Sequence, residues 1–232
     1  DAFHVRGMPG GSAGPAAVAR RDATAVRRLR AAGAVILGKA AMHQLGWGMT
    51  GQTPGRPLCR NPRDRERQPG GSSSGSTVAV AAGIVPLALG GDTGGSVRQP
   101  AAWCDVVGWK PAQATTPRDG LDPLAPALDT VGWCTRSVDD AALVHGVLAG
   151  RVLHVEPGLP DGCSVAVDEA VLERADPVVA DAVRRAVALL ADRGAEVRTA
   201  PMPGLPARLG PVYAADLAAA WGDAVAADPA PF

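Results

Sequence analysis

PGGSSSGSTVAVAAGIVPLALGGDTGGSVRQPAAWCDVVGWKP, residues Pro69–Pro111, is the stretch whose reading decides both fold and chemistry. It holds two glycine-serine loops, Gly70–Ser76 and Gly90–Ser96, joined by a helix predicted over Ser76–Gly83 and a short strand over Val85–Leu89. Glycine admits positive φ and lets backbone N–H groups converge on one point, which makes a nest for an anion. A serine that ends such a nest, as in Gly91-Asp92-Thr93-Gly94-Gly95-Ser96, carries its hydroxyl beside those amides. They would stabilise the oxyanion that forms when the hydroxyl attacks a carbonyl, by a few kcal/mol for each donor, on the order of 3.

Other readings of the two loops compete. Gly71-Ser72-Ser73-Ser74-Gly75 has the spacing of a GxSxG nucleophile elbow, but that elbow needs a strand before it. The preceding text, Arg60-Asn61-Pro62-Arg63-Asp64-Arg65-Glu66-Arg67-Gln68-Pro69, is too charged for a buried strand. Gly70–Thr77 also resembles a phosphate-binding loop, with Ser76 where the lysine belongs. The plainest alternative makes both loops tight connections only. Two serine-rich loops bracketing one helix–strand unit weigh against it.

Outward from this stretch, helices and strands alternate. Asp22 is placed to cap a helix through Ala23 to Ala32, closed by Gly33 and followed by a buried strand, Ala34-Val35-Ile36-Leu37. Ser137 opens a helix to Leu148. Asp176-Pro177 opens another, with Val179, Val183, Ala186, Leu189 and Leu190 at helical spacing, closed by Gly194 before a strand at Ala195–Val197. A proline-rich loop from Ala200 leads into a last helix around Ala214–Ala226. The expected fold class is α/β, a single domain with a mixed central β-sheet flanked by helices.

The bulk numbers exclude several functions. Lys+Arg and Asp+Glu are both 23, a balance that gives no electrostatic reason for nucleic acid or an anionic membrane as partner. No apolar run approaches the ~20 residues of a bilayer span. Cys59, Cys104, Cys134 and Cys163 lie far apart without zinc spacing, so they read as small apolar residues of a reducing, cytoplasmic protein. His4, His43, His145 and His154 sit in unrelated contexts and read as structural or surface residues.

Residues Gly70–Pro111 resemble the amidase signature family, which includes the glutamyl-tRNA amidotransferase A chain, fatty acid amide hydrolase and allophanate hydrolase. Weaker similarity covers Asp1 to about Gly150, including Gly33–Lys39 and Arg60-Asn61-Pro62. The resemblance implies a Ser–Ser–Lys triad with Ser96 as nucleophile and Ser72, held by a cis peptide bond, as the bridging serine. It implies oxyanion amides from Thr93, Gly94, Gly95 and Ser96, and substrate contacts from Ser73. The segment Gly46-Trp47-Gly48-Met49-Thr50 corresponds to a loop near the acyl pocket, so Trp47 and Met49 either line that pocket or simply pack. Ser74 departs from the glycine common in the family.

The two lysines present, Lys39 and Lys110, match non-catalytic family positions. The catalytic lysine is expected just before Asp1, and the fold is expected to be incomplete at both ends. The resemblance implies hydrolysis or transfer at a carboxamide through an acyl-serine, with no metal or cofactor and a small-molecule amide as substrate. It leaves open a homo-oligomer, an amidotransferase component with partner subunits, or a non-catalytic remnant kept as a folding or interaction unit.

Overall fold

The computed structural model describes residues 3–9, 18–53, 57–201 and 209–227. They fall into two compact units, one drawn from residues 1–154 and 212–232 and the other from 155–211.

The first unit is organised by a strand that sequence patterning does not single out. Helices α1 (Thr24–Ala31) and α2 (Ser74–Ala81) precede strand β1 (Leu87–Asp92), helix α3 (Arg98–Cys104) and the short strand β2 (Val107–Trp109). Strand β3 (Thr130–Thr135) then lies between β1 and β2, antiparallel to both, and helix α4 (Val138–Ala149) follows. All six residues of β3 are buried. Its side chains alternate between two packed faces, as strand geometry requires. Val131 and Trp133 join Val26 and Leu29 of α1 and Val144 and Leu148 of α4 in the main core. Cys134 faces Val80 of α2 and Val97 and Ala101 beside and within α3. A strand covered on both faces has no polar–apolar alternation to betray it.

The cassettes expected from sequence are present with shifted ends. Helix α1 starts at Thr24, and Asp22 does not cap it; its carboxylate accepts from the Arg6 amide and the Arg30 guanidinium instead. Ser137 does cap α4, accepting from the Asp140 amide at 3.1 Å. The expected buried strand at Ala34–Leu37 is corrected: no strand is assigned there. Ala34 and Ile36 pack on the core while Val35 and Leu37 are 81% and 71% exposed. The side chains alternate as in a strand, but the segment is part of no ladder among the described residues.

The second unit is a strand–helix–strand arrangement. Strands β4 (Ser164–Val167) and β5 (Glu196–Thr199) pair in parallel, connected through the short helix α5 (Glu169–Leu172) and the long helix α6 (Pro177–Asp192). Asp176 caps α6 through the Val178 amide at 2.9 Å, with Pro177 at the first helical position. The last helix, α7 (Leu209–Ala227), begins five residues earlier than the sequence suggests, and from residue 212 onward it belongs with the first unit. The parallel pairing expected of helix-then-strand units thus occurs in β4–β5, whereas β1, β3 and β2 form an antiparallel sheet. Among the described residues no helix is long and apolar enough to cross a membrane.

Trp133 is fully buried, and its indole N–H donates to the Ala141 carbonyl at 3.1 Å, joining β3 to α4. Trp133→Ala is expected to destabilise the protein by about 3–5 kcal/mol, read as a lowered denaturant midpoint in equilibrium unfolding.

Candidate active site

The two glycine-serine loops meet at the N-terminus of α2. Ser72, Ser73, Ser74, Ser76 and Thr77 are all buried, an unusual density of hydroxyls for a helix start. Buried hydroxyls need partners, and backbone carbonyls supply them. Ser74 Oγ donates to the Ser72 carbonyl at 3.3 Å, Thr77 Oγ1 to Ser73 at 3.0 Å and Ser76 Oγ to Leu89 at 2.7 Å. The Gly71–Ser72 peptide bond is cis. A β-carbon at Gly71 would stand 2.8 Å from the Gly48 carbonyl oxygen, so only glycine admits the loop that carries Trp47 and Met49 this close.

Two bonds stitch the first loop to the second, and a third ties it to α3. The Ser73 amide donates to the Ser96 carbonyl at 3.1 Å, Ser73 Oγ to the Gly91 carbonyl at 3.3 Å, and the Gly71 amide to Gln99 Oε1 at 3.0 Å. They place Ser72, the residue before Ser73, beside the segment that carries Ser96. The approach is tight enough that a β-carbon at Gly90 would meet Ser73 Oγ at 2.5 Å.

Asp92 shapes the second loop. It ends β1 with no exposed surface, and its carboxylate accepts from the amides of Gly95, Val97 and Arg98 at 2.9, 3.1 and 3.3 Å. The Arg98 guanidinium adds a fork, Nη2 at 2.8 Å and Nε at 3.0 Å. Burial alone would raise the Asp92 pKa. The guanidinium, with the Val97 and Arg98 amides, outweighs it and holds the carboxyl below its ordinary value. This bonding changes one expectation. The Gly95 amide is committed to Asp92, so its N–H is not free for an oxyanion. Thr93, Gly94 and Ser96 carry amides with no acceptor among the described residues.

A cavity of about 40 Å³ opens beside these loops. Ser72, Ser73 and Thr93 line it together with Met42, Leu45, Gly46, Leu121, Leu124 and Asp129. Leu45 is held in the left-handed region at φ 57°, a conformation that costs a non-glycine residue about 1 kcal/mol or more. Thr93 Oγ1 donates to Asp129 Oδ1 at 2.5 Å, and Asp129 also takes the amides of Leu124 and Ala125, fixing the opposite wall. Ser96, Gly94 and Gly95 are not among the lining residues, and neither are Trp47 and Met49, which are 47% and 64% exposed. Trp47 stacks on Tyr213 of α7 with ring centroids 4.8 Å apart.

Competing nucleophiles and bases are poorly placed. The Cys134 thiol, against Thr77 Oγ1 at 3.3 Å, is pushed up to about 11, mainly by burial. Lys39 donates to the Pro9 carbonyl at 3.0 Å and Lys110 to its neighbour Pro111 at 2.7 Å. The position proposed for the catalytic lysine adjoins Asp1, which lies outside the described residues.

The family model for amidases matches residues 1–229. The chain belongs to the amidase family. Among its relatives is the glutamyl-tRNA(Gln) amidotransferase A chain of Symbiobacterium thermophilum, 43% identical over 208 residues, covering 83% of this chain and 42% of that protein. Among solved structures, an amidase superimposes with TM-score 0.89 at 38% identity, over 100% of this chain and 54% of its own. The corresponding glutamyl-tRNA(Gln) amidotransferase chain of Thermotoga maritima does so with TM-score 0.82 at 34% identity, over 96% and 53%. The chain therefore spans about half the length of these amidase-family relatives or less.

Within this amidase-family core, sequence reading passed over Asp92, Asp129, Gln99 and Tyr213. An aspartate inside a glycine nest, Gly90-Gly91-Asp92-Thr93-Gly94-Gly95, was the available signal for the first. The others come from distant segments and carry no local mark.

Asp92→Asn places a neutral amide among five donors and leaves the Arg98 guanidinium without its counter-charge. The variant should lose about 2–3 kcal/mol at neutral pH. The Asp92 contribution is fully present above about pH 4 and disappears as pH falls through its depressed folded value. Thermal melts of the two proteins should therefore differ widely at pH 7 and converge in acid.

Proposed function

We propose that this chain supplies the catalytic core of an amidase, cleaving or transferring a carboxamide acyl group through an acyl-Ser96 intermediate. The observation that carries the reading is the Asp92-anchored nest. Among the described residues it leaves the Thr93, Gly94 and Ser96 amides without acceptors in the segment that presents the Ser96 hydroxyl, with Ser72 beside it. Family membership and the amidase and amidotransferase names of the relatives agree with this chemistry.

In this mechanism Ser96 Oγ attacks the amide carbonyl carbon as its proton passes to Ser72 and from Ser72 to a base. The family resemblance assigns that base to a lysine directly before Asp1. Negative charge gathers on the former carbonyl oxygen, where preorganised amides stabilise it more than they stabilise the ground-state carbonyl. The proton returns along the same relay to the departing nitrogen, the C–N bond breaks, and an ester to Ser96 remains. Water then cleaves the ester and restores Ser96; the ammonia freed in the first step is lost in simple hydrolysis and passes to partner subunits in the amidotransferase outcome. Ser73 contributes through the cavity wall, since its hydroxyl is engaged with Gly91.

Labelling with a fluorophosphonate tests the reading on the full-length protein, including the residue before Asp1. A single adduct mapping to Ser96 is expected, lost in Ser96→Ala and slowed at least a hundredfold in Ser72→Ala. A folded protein that labels nowhere is a non-catalytic module instead.

A further inference from the structure

Helix α7 is fastened at three places to the two segments that wall the cavity. Tyr213 stacks on Trp47, the residue after the cavity-lining Gly46. Asp216 Oδ2 accepts from the Ala127 amide at 2.7 Å, and Trp221 Nε1 donates to the Pro123 carbonyl at 2.8 Å. Ala127 and Pro123 belong to the same loop as Leu121, Asp122, Leu124 and Asp129, which form the opposite wall. Tyr213, Asp216 and Trp221 recur at helical spacing, so one face of α7 makes all three contacts. The Tyr213 phenol is pushed above its ordinary pKa, first by burial and then by the Asp129 carboxylate. Tyr213 is the only tyrosine in the sequence.

We propose that α7 is a clamp that sets the width of this cavity, and that Tyr213 is a specificity-determining residue that keeps it narrow through Trp47. The proposal rests on the acyl-serine reading above and deepens it by naming a substrate class. Met42, Leu45, Leu121 and Leu124 supply the apolar part of a wall shared with three serines, Thr93 and two aspartates, and a volume of about 40 Å³ admits a small group only. The favoured substrates are amides of short acyl groups. Tyr213 touches no reacting atom. It acts by holding the 45–49 segment and the 121–129 loop at a fixed separation.

The test compares labelling rates at Ser96 in the full-length protein with two alkyl fluorophosphonates, one ethyl and one dodecyl, whose chains stand in for the acyl group. The wild type should react faster with the ethyl probe. Tyr213→Ala should raise the dodecyl-to-ethyl rate ratio about tenfold, while the ethyl rate stays within about threefold of wild type. Tyr213→Phe keeps the stack and should leave the ratio unchanged. Trp47→Ala should reproduce the Tyr213→Ala shift, with no further change in the double variant. Asp216→Ala loosens the second fastening and should move the ratio in the same direction, so the proposal stays testable if one variant folds poorly. An unaltered ratio, or equal losses with both probes, overturns the clamp while leaving the acyl-serine reading intact. Failure of the wild type to label at Ser96 with either probe overturns that reading and this one together.

Discussion

A single buried carboxylate organises the candidate site. Asp92 ends β1 inside the protein, where an unpartnered charge would be very unfavourable. Its cost is offset by three backbone amides and a guanidinium fork, and satisfying that charge forces the chain after Asp92 to curl around it. The curl leaves the Thr93, Gly94 and Ser96 amides without an acceptor among the described residues. Without the charge the same glycine-rich segment would have little reason to hold one conformation, since glycines give up the most backbone entropy on folding. The nest is therefore built from the inside, by an anion that belongs to the protein.

The serine-rich start of α2 depends on that curl in turn. Ser73 bonds to the backbone of both Gly91 and Ser96, so the first loop is positioned by the second. Close packing at Gly71 and Gly90 then brings the 46–49 segment and β1 against the same point. Each contact uses backbone atoms. The arrangement consequently tolerates little side-chain growth at these glycines. Farther out, the 121–129 loop is held by Asp129 in a smaller version of the same device, a carboxylate gathering backbone amides and the Thr93 hydroxyl. Helix α7 bonds to that loop through Asp216 and Trp221.

Much of this was legible in the residues. Gly70–Ser76 and Gly90–Ser96 announce themselves because few structures need glycine and serine at such density, and the helix between them follows from its apolar run. Caps at Ser137 and Asp176 were readable because capping is a local interaction between a side chain and amides two or three residues away. Asp22 misled for the opposite reason. Its carboxylate has distant partners, the Arg6 amide and Arg30, and a local rule does not see them. Likewise the run Ala34–Leu37 has the composition of a buried strand, but whether a strand forms depends on a neighbouring chain to bond with.

By itself, then, the sequence determined the α/β character, the two glycine-serine loops and the family, because these rest on local preferences and on residue types that few alternatives accommodate. The tertiary structure decided what no window of sequence contains. It put β3 at the centre of the sheet, where burial on both faces erases the strand's pattern. It committed the Gly95 amide to Asp92 and so narrowed the set of free donors. It also brought Tyr213 onto Trp47, residues with no mutual signal in the chain, because contacts between distant segments are fixed by how helices and loops pack around a shared core.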